Sequence, residues 1–339
     1  MAIAVGIIGG SGYTAAELLR LLAGHPNVAI KAVSSRAEKG QKISRLFPNL
    51  GKGIALEFLD PQDPAFLDCD VVFFCTPHGI AMQDAPAFLE RGIKVIDLSA
   101  DFRLKDPQVW REWYGMDHAA PLWLEKAVYG LPELYREAIS KAALVANPGC
   151  YPTAMALGFL PLLAHRLVDP KSLIANCVSG ISGAGRKAEA TLLFCERAEN
   201  FKAYGLPRHR HTPEINQTLK TSHPDAEVLF IPHLAPMVRG MHATLYADLL
   251  DDALDLSQVY QDFYRHEPYV EVLEGGFPET KAVFGSNFCR LSPFTSNGKA
   301  IIFSVIDNLG KGAAGQALQN FNLLFGFEEH TGLLPGLWP

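Results

Sequence analysis

Residues 3–8 (IAVGII) form an unbroken apolar run that stops at Gly9-Gly10-Ser11-Gly12. From Thr14 to His25 the apolar residues recur at helical spacing, with Leu18, Leu19, Leu21 and Leu22 on one broad face. A second apolar run, 28–35 (VAIKAVSS), follows at once. This order predicts a βαβ unit whose strands are buried in a parallel sheet. The alternation continues with a strand over 70–77, a helix over 79–91 and a strand over 94–100. After a tryptophan-bearing stretch, ALVANPGCYPTAMALGFLPLLAH predicts a strand, a turn carrying a cysteine and a helix. Beyond residue 171 the texture changes. Runs 173–180, 227–234, 241–250 and 300–309 predict longer strands with few helices between them, hence a mixed or antiparallel sheet in a second domain. Helical periodicity returns over 310–327.

A length of 339 residues is consistent with about two domains. At 48% hydrophobic and 19% charged, the chain can bury a sizeable core. Its 30 Lys and Arg against 36 Asp and Glu give a net charge of -6, which argues against nucleic acid or an anionic membrane as partner. The apolar N-terminus lacks the basic start of a signal peptide, and no apolar stretch is long enough to cross a bilayer. Cys69, Cys75, Cys150, Cys177, Cys195 and Cys289 include no CxxC pair, so free thiols and a cytoplasmic setting are expected, with no metal site.

Gly9, Gly10 and Gly12 stand where the first strand turns into the first helix. Glycine there lets backbone N–H groups approach a pyrophosphate, and the helix N-terminus favours its charge. The spacing Gly9, Gly12, Ala15 is a variant of GxGxxG in the right strand–turn–helix context for a dinucleotide. The second strand ends in Ser34-Ser35-Arg36, with no carboxylate before Glu38. An arginine with small hydroxyls at that point suits the 2′-phosphate of NADP better than the bare ribose of NAD.

The heptapeptide Asn147-Pro148-Gly149-Cys150-Tyr151-Pro152-Thr153 carries the strongest chemical signal. Pro148 and Gly149 make a turn, and Pro152 suits the first turn of a helix. Cys150 therefore stands at a helix N-terminus, where dipole and backbone amides stabilise a thiolate and an oxyanion formed beside it. In Arg208-His209-Arg210-His211-Thr212-Pro213-Glu214, either His211 or His209 could serve as general acid/base. His211 and Glu214 are three apart, which lets a carboxylate orient an imidazole across one helical turn. His242, on an expected strand, reads equally well as core.

GGSGYTAAEL, DLSADFRL (97–104), NPGCYPTA (147–154), GISGAGR (180–186), HRHTPEI (209–215), PHLAPMVRGMHATLY (232–246) and DNLGKGAAGQALQN (307–320) together resemble the N-acetyl-gamma-glutamyl-phosphate reductase family. That family is related to aspartate-semialdehyde dehydrogenase and glyceraldehyde-3-phosphate dehydrogenase. One departure is Ala15, where many members have glycine. The resemblance implies an α/β fold: a Rossmann parallel-sheet NADP domain over 1–149, completed by a C-terminal helix at 310–339, and a glyceraldehyde-3-phosphate dehydrogenase-like α+β catalytic and oligomerisation domain over 150–309. It implies cofactor contacts at Gly9, Gly10, Ser11, Gly12, Tyr13, Thr14, Ser34, Ser35, Arg36, Thr76, Pro77, Ser99, Gly183, Ala184, Asn308, Lys311 and Gly312. It also implies attack by Cys150 on an acyl phosphate, a thioester reduced with NADPH, and assembly as a dimer or tetramer.

Such a substrate is a small molecule bearing a phosphate and an α-carboxylate, and both call for fixed cations. Arg103, Arg186, Arg208 and Arg239 are the expected ligands, with Arg210 a further candidate and Asn147 beside the nucleophile. Arg103 is favoured for the phosphate. Rival readings are an aspartate-semialdehyde dehydrogenase, a reductase of a carrier-linked aminoacyl phosphate, and a non-catalytic NADP sensor.

Overall fold

The computed structural model describes residues 2–251, 253 and 255–333, with backbone alone over 51–53. It divides into two compact units, one running to Pro148 and resuming at Ala313, the other spanning Gly149–Gly312.

In the first unit, β1 (Ile3–Ile8), β2 (Val28–Ser34), β3 (Val71–Phe74), β4 (Lys94–Asp97), β5 (Val128–Tyr129) and β6 (Leu144–Ala146) form one sheet. Its order is β2-β1-β3-β4-β6-β5. Every pairing is parallel, as the buried apolar runs predict. The helix Tyr13–Ala23 buries Leu18, Leu19, Leu21 and Leu22. Two strands end earlier than their apolar runs suggest. The run through residue 77 stops at Phe74 because its neighbours β1 and β4 end opposite it, at Ile8 and Asp97. The run through residue 100 stops at Asp97, whose carboxylate accepts from Ser99 N–H and Oγ–H and turns the chain.

The C-terminal segment joins this unit through a short π-helical turn (Gly310–Ala314) and the helix Gly315–Phe325. Gln316 and Asn320 donate to the Gly130 carbonyl, and Asn320 also to Asn147 Oδ1. The expected helix over 310–339 is thus shorter, ended by Gly326 at φ 71°, and residues 334–339 lie outside the described residues.

The second unit holds β7 (Leu173–Ser179), β8 (Lys202–Ala203), β9 (Val228–Leu234), β10 (Met241–Asp248), β11 (Val270–Val272), β12 (Cys289–Ser296) and β13 (Lys299–Ile306). The sheet order is β11-β12-β13-β10-β7-β9-β8. It is mixed, with parallel pairs β11–β12 and β7–β9. β12 escapes a pattern reading because CRLSPFTS mixes polar residues and a proline; antiparallel pairing with β13 holds it.

The helix Cys150–Ala164 is apolar all round and buried on every side from Tyr151 to Leu163. Gly158 lets the helix pack closely on the sheet, because a Cβ there would lie 2.2 Å from Leu245 Cδ1 and force that buried side chain to shift. Pro161 removes the N–H that would bond the Leu157 carbonyl, and the Tyr264 hydroxyl donates to that carbonyl instead. The Tyr260 hydroxyl donates to the Gly158 carbonyl next to it. Both tyrosines belong to the helix Leu256–Tyr264, whose buried face is Leu256, Tyr260 and Tyr264.

Candidate active site

The first candidate site lies at the C-terminal ends of β1, β2 and β3. The chain runs from β1 outward to β2, then crosses to the other side of β1 for β3. Such a reversal leaves a crevice, the general ligand position in open α/β sheets. A cavity of about 300 Å³ fills it, lined by Gly9, Ser11, Ser34, Ser35, Arg36, Thr76 and Pro77, with Ile8, Ala37, Pro61 and Ile80 as apolar wall. Gly9 has φ 87°, and a Cβ there would lie 2.7 Å from the Cys75 carbonyl oxygen. Gly10 packs inward, where a Cβ would overlap Val33. Gly12 caps the helix that Tyr13 and Thr14 begin, and no atom lies within 4 Å of a Cβ built there. That is open space for a ligand to meet the helix N-terminus.

Two hydroxyls in this wall, Ser34 Oγ and Thr76 Oγ1, are shielded from solvent with no hydrogen-bond partner. Buried polar atoms left in that state point to a ligand that satisfies them. Ser35 Oγ donates to Ser11 Oγ, tying the strand end to the glycine turn. Arg36 is exposed at the rim, no carboxylate lines the cavity, and Glu38 accepts from Gln41. The residues fit a dinucleotide.

The second candidate site surrounds Cys150 in the other unit. Cys150 opens its helix, with Gly149 as the cap, and Glu214 Oε1 accepts from Gly149 N–H at 2.9 Å. This buried carboxylate, expected beside His211, thereby also holds the turn that carries the cysteine. Gly312 packs so closely that a Cβ there would lie 2.7 Å from Cys150 Cβ. Cys150, His209 and His211 line one cavity of about 370 Å³, together with Gly183, Ala184 and Ser179.

The other cysteines fall away as nucleophiles. Burial pushes the Cys69 thiol up to about 11 and raises Cys75 and Cys177 further. Cys289 is buried, and Cys195 is exposed away from the imidazoles' cavity.

His209 accepts from the His211 backbone N–H through Nδ1 at 3.2 Å. That bond places the proton of the neutral ring on Nε2. Burial, reinforced by the Arg210 charge, pulls its pKa down to about 4, so the ring is neutral at physiological pH. Tyr204 donates to Tyr151, which donates to the His233 carbonyl. Burial pushes Tyr204 up to about 12 and Tyr151 higher, so both phenols stay protonated.

Several residues expected at the sites do other work. Arg103 is buried, and its guanidinium donates to the backbone carbonyls of Asn147 and Leu98, bracing the turn before Cys150. The side chain of Asn147 is consumed by Ala313 and Asn320. Arg239 forms a two-pronged ion pair with fully buried Asp307, which also accepts from the amides of Gly285, Leu309 and Gly310. Ser99 spends its hydroxyl on Asp97 and is buried.

Asn308 bonds Gly240 N–H and Ser182 Oγ, and Lys311 is fully buried with its ammonium over the Tyr269 ring. Arg186, Arg208 and Arg210 are exposed and do not line the cysteine cavity. His242 packs by Phe303, outside that cavity. The cations that do line it are Arg197 and Lys202, which stand in a stretch, FCERAENFK, that carries no recognisable motif. Among the described residues no cluster of His, Cys, Asp or Glu could hold a metal, and no helix is long and apolar enough to cross a membrane.

A switch-point crevice in a parallel-sheet unit and a cysteine–imidazole cavity on a mixed-sheet unit define an oxidoreductase of the semialdehyde dehydrogenase class. Residues 4–142 match the family described as semialdehyde dehydrogenase, NAD binding domain, and residues 150–308 its dimerisation domain. The fold is shared with aspartate semialdehyde dehydrogenase II from Vibrio cholerae (TM-score 0.75, 18% identity, 96% of this chain and 99% of that one). It is shared as well with the Candida albicans aspartate semialdehyde dehydrogenase solved with NADP (TM-score 0.70, 15% identity, 96% and 99%).

Sequence narrows the class. N-acetyl-gamma-glutamyl-phosphate reductases from Nitrosococcus oceani and Nitrosomonas europaea are 57% and 55% identical to this chain, each over 97% of both chains. The chain belongs to the N-acetyl-gamma-glutamyl-phosphate reductase family.

Proposed function

We propose that the protein reduces N-acetyl-gamma-glutamyl phosphate to N-acetyl-glutamate 5-semialdehyde, with NADPH as reductant, in cytoplasmic arginine biosynthesis. The observation that carries this reading is Cys150 at the first turn of a buried helix, sharing one cavity with two imidazoles and two cations and no carboxylate. Membership of a family whose relatives are named for this substrate supports the choice of acyl phosphate.

Cys150 thiolate attacks the acyl carbon; a C–S bond forms, the C–O bond to phosphate breaks, and inorganic phosphate leaves. A thioester accepts hydride more readily than a carboxylate, and the bound nicotinamide supplies that hydride. The resulting alkoxide lies beside the helix N-terminus and within a cavity that also presents His209, whose Nε2–H donates without being an imidazolium. With Nδ1 of His209 committed and both phenols protonated, His211 takes the role of proton acceptor and donor. Collapse of the alkoxide then breaks the C–S bond, releases the aldehyde and restores the thiolate.

For the cofactor, Arg36 and the unsatisfied Ser34 hydroxyl support NADP over NAD, because a 2′-phosphate would use both and the cavity offers no carboxylate for a bare ribose. For assembly, a homo-oligomer through the face of the second sheet opposite the cysteine helix is supported by an apolar cross-strand row, Leu229, Ile174, Tyr246, Ile301 and Phe294. Leu229 in that row is 56% exposed in the single chain.

The test is NADPH oxidation with N-acetyl-gamma-glutamyl phosphate, aspartyl phosphate and a carrier-linked acyl phosphate side by side. Turnover confined to the first is expected; preference for either other substrate contradicts the reading.

A further inference from the structure

Arg197 closes the short helix Phe194–Arg197 and is only 6% exposed, yet it lines the cavity that holds Cys150, His209 and His211. Its Nε is sealed from solvent without a hydrogen-bond partner, and no described residue forms an ion pair with the guanidinium. Burying a cation in that state is costly unless an anion joins it, and no carboxylate lines the cavity to do so. The other cation, Lys202, is exposed on β8.

From this we propose that Arg197 anchors the substrate's α-carboxylate and thereby sets specificity for acids of this kind. The inference rests on the reaction proposed above. Of the two anionic groups on the substrate, the carboxylate persists through substrate, thioester and product, whereas phosphate departs after the first step. A fixed, buried, planar guanidinium suits the anion that stays and matches a carboxylate two-pronged. An exposed ammonium such as Lys202 suits the anion that must leave.

The reverse reaction separates the two anions, because semialdehyde and inorganic phosphate are then distinct reactants. For Arg197→Gln, KM for N-acetyl-glutamate semialdehyde should rise at least about tenfold while KM for phosphate stays within about twofold. A rise in the phosphate constant, alone or alongside, or no change in either, overturns the proposal.

Should Arg197→Gln be inactive, alkylation of Cys150 by iodoacetamide gives the second readout. N-acetyl-glutamate should protect the wild type and fail to protect the variant, with the unprotected alkylation rate unchanged. Retained protection, or a changed unprotected rate, counts against an anchoring role. If the wild type turns over a different semialdehyde instead, the proposed reaction fails, and the same comparison with that semialdehyde still decides the role of Arg197.

Discussion

The cavity at the ends of β1, β2 and β3 and the cavity around Cys150 are built by different means. The first is drawn from positions 8–80, and its key features are backbone ones: a left-handed glycine, a helix start, a reversal of strand order. The second gathers side chains from 150 to 234 across the helices Cys150–Ala164 and Phe194–Arg197, three strands and the loops between them. Backbone cradles follow from local residue type, because only glycine tolerates the φ of Gly9 or the space left at Gly10. A side-chain cavity depends on which loops the sheet brings together, and strand order is not written in any one segment.

That contrast can be broken at Arg36, where the first cavity relies on a single charged side chain. Arg36→Ala should weaken NADPH binding at least about tenfold and leave NADH binding within about twofold, as read by fluorescence titration. Equal losses for both nucleotides would show that Arg36 does not read the 2′-phosphate and that the backbone cradle alone carries cofactor affinity.

A smaller effect sharpens the second cavity. Burial, with Arg210 second, holds His209 at a pKa of about 4, below the ordinary value of 6.5. The unfolded chain therefore binds more protons in between, so this group's share of stability is complete above pH 6.5 and is lost as pH falls towards 4. Urea unfolding at pH 7 and pH 4.5 should show a smaller loss of stability for His209→Gln than for wild type. An equal loss in both would mean that His209 is not held neutral by its surroundings.

How much could be read from residues alone follows the same division. The turn at Gly9–Gly12, the hydroxyl at Ser34 and Cys150 at a helix start were legible, since each depends on neighbours in sequence, whereas Thr76 came only from the family resemblance. The arginines were not. Arg103 in SADFRL and Arg239 beside Gly240 look like anion ligands, yet one braces the backbone of Leu98 and Asn147 and the other neutralises buried Asp307. Nothing local distinguishes a guanidinium that bonds a carbonyl 44 residues away from one that meets a substrate. Arg197 was invisible for the converse reason: its isolation inside the cavity is a property of the packed loop. β12 is hidden because its stability comes from pairing with β13 rather than from its own residue pattern, whereas the helix Leu256–Tyr264 carries Leu256, Tyr260 and Tyr264 at helical spacing and was open to a periodicity reading.

The central claim is that Cys150 carries the acyl group. Mixing stoichiometric enzyme with N-acetyl-glutamate semialdehyde and NADP, without phosphate, should form up to one equivalent of NADPH per site. Mass spectrometry of the quenched protein should then locate one N-acetyl-glutamyl group on the peptide bearing Cys150, absent from Cys150→Ser. NADPH formation by Cys150→Ser at a rate near wild type, or an acyl group on another residue, would contradict the account.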